Sequence, residues 1–437
     1  MRALHLPRAA ARMKPVMAGM FFLAAALPAQ DGPRKWTDAQ GRTVEAEFAG
    51  LDGETVLLKM SGGQTVPYPL AKLSAEDQAF VSKRKEASAP AGPSAAGPRQ
   101  PLEKREWPGN VAVSTRAIEI KVVEEKAAER RYVYQSEAFE FTSQAKLAGS
   151  VMTEVARTFE ATRAVINALP WGVVCQPPDG MPRFLAALYE TRQDYVDAGG
   201  PELSGGVYQT AEKTFRIPFQ SLGLEKRGQT YFKNDFSNDT LVHEITHQMM
   251  HDYLGFLPTW LIEGMAEYVE LLPYRAGVFR ADAHKTAMKS TVDEWIKSGR
   301  PPMIPSLEAH MSMNREGWGA ETAEAEKMRE MYRRSILLVY YFSHLDGDRT
   351  GARFLRFMEA VYGEVEAMRA FFADPRVKRM EGGRFTYPSS LKPPGMYKDE
   401  TIFRHLGILV DERPYEKIAA DIVEGYKTIG VKVDVRP

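Results

Sequence analysis

Cysteine is almost absent: Cys175 is the single one in 437 residues. No disulfide can form within the chain, and a cysteine-rich zinc ribbon is excluded. Any metal must be held by histidines and carboxylates. Cys175 lies in WGVVCQPP, where apolar neighbours mark a small buried hydrophobe rather than a catalytic thiol. Net charge is absent too, since 57 Lys+Arg balance 57 Asp+Glu. Phosphate-binding surfaces are usually basic, so nothing electrostatic points to nucleic acid. Long apolar runs are missing beyond the N-terminus. ILLVYYF (336–342) falls far short of the ~20 residues a membrane span needs.

The N-terminus is the exception. Arg2, Arg8, Arg12 and Lys14 precede an apolar run from Val16 to Ala29, and Ala26 and Ala29 offer small residues for cleavage. Residues 1–30 therefore read as a signal peptide, and the protein as exported, periplasmic or extracellular. Leu27 is not ideal before a cut after Ala29, so an uncleaved N-terminal anchor is the alternative. No cysteine follows the run, which excludes lipoprotein attachment.

The length allows two or three domains. Residues 31–83 form a distinct small unit. VEAEFAG, TVLLKM and QTVPYPL are strand-like, and DAQG, LDGE and SGGQ are turns. LSAEDQAFV closes the unit as a turn or two of helix, with Ser74 as N-cap. Short strands at such close spacing predict a small SH3-like β-barrel. The spelling W-T-D-x-x-G, A-x-F-x-G, V-x-L, V-P and L-S-x-x-D-x-x-F resembles the SH3-like homology domain of a yeast endocytic adaptor, which also occurs in exported bacterial proteins. In that adaptor the domain binds short peptides. Trp36 and Phe48 read as core residues. Residues 84–105, rich in Pro, Ala, Gly and Ser, read as a linker.

The remainder, 106–437, is the main domain. YVYQSEAFEFTS is extended, 145–169 has helical spacing up to Pro170, and RFLAALYETRQDYVDAG reads as strand then helix. GGVYQTAEKTFRIPFQSLG reads as two strands. FTYPSSLKPPGMYKDE is loop-like, and PYEKIAADIVEGYKTIG is a C-terminal helix stopped by Gly430.

The chemistry concentrates in LVHEITHQMMHDYLGFLPTWLIEGMAEYVE (241–270). His243 and His247, four apart, project from one face of a helix and can reach one ion at about 2 Å each. Glu244 is rotated by about 100° and flanks that ion without ligating it, free to take a proton from water. A third histidine in the pattern HExxHxxGxxH is excluded, because Met250 and Tyr253 occupy those positions. His251 reads as a surface residue or one supporting the site. A second helix, opened by Pro258, supplies Glu263, 263 − 247 = 16 positions after His247. That spacing suits a third ligand. Glu267, one turn on, is placed to orient a ligating histidine. Trp260, Leu261, Met265 and Ala266 make this helix too apolar to be a simple solvated face.

HEITH followed by WLIEGMAEY resembles the gluzincin metallopeptidases, of the aminopeptidase-N-like and peptidase-MA-like branches, whose pattern is HExxH then W-L-x-E-G-x-A. The resemblance implies that His243, His247 and Glu263 bind Zn²⁺ and that Glu244 is the general base. It implies an α+β fold: the small SH3-like β-barrel, then a mainly helical thermolysin-like metallopeptidase domain with a small mixed sheet. The family also carries a tyrosine that opens a helix and stabilises the oxyanion, and EMYRRSILLVYYFSHLDG then points to Tyr332, which otherwise reads as a core aromatic. The substrate would be a peptide or protein. The G-x-M-E-N strand of the aminopeptidase branch is missing upstream of HEITH, although GGVYQ (205–209) stands where an edge strand could hold an extended peptide. Two other functions fit the same residues: an exported binding or scaffold protein that keeps the fold without catalysis, and a zinc hydrolase acting on something other than peptide.

Overall fold

The computed structural model describes residues 33–52, 55–61, 65–88, 100–178, 181–202, 204–234, 239–380 and 384–437. The targeting segment read over 1–30 lies outside them. The chain forms two compact units, Met1–Pro98 and Arg99–Pro437.

In the first unit, β1 (Arg34–Thr37), β2 (Thr43–Asp52), β3 (Thr55–Met60) and β4 (Thr65–Pro69) form an antiparallel meander in sequence order. Successive side chains of a strand point to opposite faces, and one face of this sheet is apolar. Trp36, Ala46, Val56 and Leu58 supply that face, and Leu73 and Val81 cover it from the far end of the unit. The Trp36 indole N–H, buried by this packing, donates to the carbonyl of Ala46 at 3.0 Å. Phe48 stacks on Trp36, with ring centroids 6.0 Å apart. The closing helix α1 runs over Ala75–Ser88, longer than the turn or two expected. Ser74 caps it, accepting from the Asp77 N–H at 3.2 Å. Asp77 also accepts from Arg34 and from the Thr37 N–H, both at 2.7 Å, and ties the helix to β1.

The linker expected over 84–105 is shorter than its composition suggests. Its first residues are helical to Ser88, while Leu102 is buried in the core of the second unit and its N–H donates to Glu359 Oε2 at 2.9 Å. A lone leucine in a proline-rich stretch has no periodicity to reveal that it docks.

The second unit begins with β5 (Asn110–Ala112), which pairs with Val278–Arg280. Next comes β6 (Lys121–Lys126), followed by the hairpin β7 (Arg131–Gln135) and β8 (Phe139–Ser143) where the extended stretch was expected. Helix α2 (Gly149–Ala168) stops before Pro170, as the sequence predicts. Strand β9 (Phe184–Tyr189), the short helix α3 (Arg192–Asp197), β10 (Val207–Gln209) and β11 (Thr214–Pro218) follow. These strands build a mixed six-stranded sheet in the order β10-β11-β9-β8-β7-β6, more extensive than the small sheet expected. β8 and β9 alternate buried and half-buried residues, and the buried ones meet α2. Phe159 of α2 packs edge-on against Phe139, Phe141 and Phe215 at 5.1–5.6 Å. Burying rings of this size contributes roughly 1.5–3 kcal/mol each. Glu160, also buried, is satisfied by the Ser136 hydroxyl at 2.8 Å and the Ala138 N–H at 2.9 Å, which pins the β7–β8 turn to α2.

Helices then dominate. α4 (Asp239–Met249) and α5 (Thr259–Glu270) precede α6 (His284–Lys297), the short α7 (Leu307–Met311) and α8 (Arg315–Glu321), the long α9 (Ala325–His344) and α10 (Ala352–Ala373). The predicted C-terminal helix spans Tyr415–Lys427, and Gly430 takes the left-handed φ of 75° that ends it. Beyond it, Asp434–Val435 pairs in parallel with Met303–Ile304. Among the described residues no helix is long and apolar enough to cross a membrane.

α5 and α9 touch at Gly264. A Cβ built there would stand 2.6 Å from the Ser335 carbonyl oxygen and 2.6 Å from Val339 Cγ2. The first of these is backbone and cannot rotate away. Gly264→Ala is therefore expected to destabilise the unit by about 1–3 kcal/mol through overpacking. An unchanged thermal midpoint in that variant would show that the two helices can separate freely.

Candidate metal centre

α4 presents two faces. Val242, Ile245 and Met249 are buried in the core, and the Gln248 side chain donates to the Leu185 carbonyl of β9 at 2.8 Å, fixing the helix to the sheet. On the other side His243 and His247 lie one turn apart, their ring centroids separated by 4.8 Å. Residues 250–258 reverse the chain, and α5 returns with Trp260, Leu261, Met265 and Ala266 buried. That apolar packing sets the rotation of α5, so Glu263 is delivered to the histidines.

Glu263 Oε2 lies 3.3 Å from His243 Nε2 and 3.4 Å from His247 Nε2. One ligand atom from each of the three side chains falls within 4.8 Å of the other two. The opposite ring nitrogen of His243, Nδ1, stands 3.0 Å from Glu270 Oε2 and 3.4 Å from Glu267 Oε1. Carboxylates on that side favour a proton on Nδ1 and turn Nε2 toward Glu263. The structure thus brings His243, His247, Glu263 and Glu267 together, and adds Glu270, which the sequence reading missed. The signal was present: 263, 267 and 270 follow the i, i+4, i+7 stripe of one helix face.

The electrostatics follow from burial and proximity. Burial opposes ionisation of Glu263, but the imidazoles of His247 and His243 outweigh it and hold the carboxyl well below its usual range. Burial disfavours the charged form of His243, yet Glu263, Glu267 and Glu270 together raise its affinity for a proton well above that of a free imidazole. Three carboxylates around one imidazole make a site with excess negative charge, suited to a cation.

Glu244 does not join the three ligand atoms. Its Oε2 accepts from the Tyr208 N–H of β10 at 3.4 Å, and burial raises its carboxyl pKa against the opposing pull of His247 and His243. β10 is an edge strand, so the GGVYQ segment lies beside this carboxylate. His251 falls beyond the end of α4, and its Nδ1 lies 2.6 Å from the Tyr208 hydroxyl, so it braces the same strand rather than joining the cluster.

Tyr332 stacks on His243, with centroids 5.7 Å apart and planes 13° from parallel, and is backed by Trp318 at 6.3 Å. It does not open a helix: α9 begins at Ala325, about two turns earlier. Burial, reinforced by the negative charge of Glu263, raises its pKa and keeps the phenol protonated. A cavity of about 300 Å³ adjoins the cluster, with Glu267, Glu270, Trp295 and Tyr332 in its wall. Cys175 is inert, its thiol pushed up to about 12 by burial.

Compared with known families, residues 24–89 match SLA1 homology domain 1 (SHD1). This agrees with the SH3-like character read from the sequence, and the match begins at residue 24, inside the stretch read as signal peptide. It accounts for 89 − 24 + 1 = 66 residues, and the His/Glu cluster lies outside it. No curated protein matches the chain.

Proposed function

We propose that the protein is an exported zinc-dependent peptidase of the gluzincin type, its second unit a thermolysin-like catalytic domain that follows the SHD1-like unit. One observation carries this reading. Ligand atoms about 2.0–2.1 Å from a tetrahedral ion stand roughly 3.3–3.4 Å apart. The two imidazole–carboxylate separations around Glu263 Oε2 are 3.3 and 3.4 Å. Two imidazoles and one carboxylate are also a donor set that zinc accepts in catalytic sites.

His243, His247 and Glu263 would hold a zinc ion, which would supply Lewis acidity to water and to the scissile carbonyl. Glu244, oriented by the Tyr208 N–H, takes the proton of the attacking water and returns it to the leaving amine. Glu267 and Glu270 hold the Nδ1 proton of His243 and fix its ring. Tyr332, protonated at neutral pH, donates to the oxyanion of the tetrahedral intermediate.

The test is zinc content of the full chain, followed by mass spectrometry of a mixed peptide library incubated with it. About one zinc per chain and chelator-sensitive cleavage are expected. Absence of both would leave the inactive binding or scaffold protein as the reading. Tyr332→Phe is expected to lower kcat by about 10²-fold with little change in KM, since a lost oxyanion donor acts only in the transition state. The phenylalanine ring preserves the stack on His243. A core role alone would leave kcat unchanged.

A further inference from the structure

A second cavity, also about 300 Å³, lies among the start of α6, the end of α9 and the residues just after the C-terminal helix. Its wall contains His284, Lys285, Tyr340, His344, Arg349 and Thr428. Its polar groups are left over from folding. Tyr340 is 3% exposed, and its hydroxyl makes no hydrogen bond among the described residues. His284 is equally buried, and neither ring nitrogen has a partner. Leaving buried nitrogens such as those of His284 without partners is unfavourable unless something else satisfies them. His284 packs its ring against Tyr268 at 4.0 Å and Tyr340 at 5.1 Å, and His344 packs on Tyr340 at 5.0 Å, so the inner wall is a rigid aromatic layer.

The charges at the cavity have one sign in excess. Lys285 and Arg349 are exposed, and neither meets a carboxylate among the described residues. The one carboxylate in the wall, Asp282, stands 3.6 Å from Arg280 and is balanced by it. His284 is the first residue of α6, which continues directly from a 3-10 turn over Ala281–Ala283, and its N–H donates to the Ala281 carbonyl. The carbonyls at the other two helix ends are occupied: Leu345 N–H takes Tyr341, Thr428 N–H takes Gly425 and Ile429 N–H takes Tyr426. Two unpaired cations and a phenol hydroxyl that makes no hydrogen bond among the described residues line one space.

We propose that this cavity is a second binding site, which takes the phosphoryl group of a small molecule. Lys285 and Arg349 supply charge-assisted hydrogen bonds to the phosphoryl oxygens. The Tyr340 hydroxyl donates a further bond, and the volume beyond a phosphoryl group leaves room for the organic part against the aromatic wall. Tyr268 follows Glu267 in α5 and packs against His284, so one helix serves both this cavity and the metal centre.

The test is a titration of inorganic phosphate into the full chain in phosphate-free buffer, read by calorimetry and by the shift in thermal midpoint. Saturable binding is expected, weakened about tenfold or more in Lys285→Ala/Arg349→Ala and about threefold to tenfold in Tyr340→Phe. Lys285 and Arg349 are on the surface, so their removal leaves the fold intact. Glu263→Ala is expected to bind phosphate as the parent does, because its substitution touches only the metal centre. Absence of saturable binding, an unchanged affinity in the double variant, or loss of binding in Glu263→Ala would each overturn the assignment; the last would place the phosphate at the metal centre.

Discussion

Glu244→Gln is expected to retain about one zinc per chain while kcat falls by about 10²–10⁴-fold, the range attributed to a positioned general base. The expectation follows from where the carboxylate sits. Glu263 Oε2 faces both imidazole Nε2 atoms, whereas Glu244 is held by the Tyr208 N–H and is absent from the set of three ligand atoms. Glutamine keeps the length of the side chain and still accepts from Tyr208 through its carbonyl oxygen. It cannot take a proton. Zinc content by metal analysis and kcat on a cleaved peptide separate the two roles. Activity at the parental level would remove Glu244 from the mechanism, and loss of zinc would make it a ligand.

The sequence made the local part of this centre readable and left the distant part obscure. HEITH is legible because two residues four apart share a helix face whatever surrounds them. WLIEG is legible because an acid inside an apolar helix needs a reason to be there. Glu270 was equally periodic, but its value depends on His243 Nδ1 pointing its way, which the packing of α4 on α5 decides. Tyr332 was reached by resemblance, yet its stacking on His243 rests on the approach of α9 to α5 at Gly264, a contact between residues far apart in the chain. In the sheet, β8 announced itself by alternation and β9 by a short apolar run. Their parallel pairing, with Phe141 opposite Ala186, had no local signature, and neither did the pairing of 303–304 with 434–435. β1 was missed because it is four residues long and only Trp36 in it is buried.

The second large effect is loss of the metal. Glu263→Ala is expected to lower zinc affinity by at least about 10³-fold, since one of the three proposed ligands and the only negatively charged one among them is removed. The fold should survive, because α5 packs through Trp260, Leu261, Met265 and Ala266 rather than through the carboxylate. On the proposed reading, zinc at 1,000 times its Kd should raise the stability of the parent by about 4 kcal/mol, and the variant should lose that response at the same zinc concentration. Glu270→Ala makes the comparison informative. If it only orients His243, affinity falls by about 10–100-fold, as for other residues that support a ligand. His243, Glu267 and Glu270 form a second group of converging ligand atoms on the Nδ1 side of the same ring. An ion held there would reverse the order of the two variants, Glu270→Ala losing zinc and Glu263→Ala keeping it. It would also put the metal on the far nitrogen from His247, where one imidazole and two carboxylates would replace the donor set of a peptidase. The ranking of the two affinities therefore decides which face of His243 carries the chemistry.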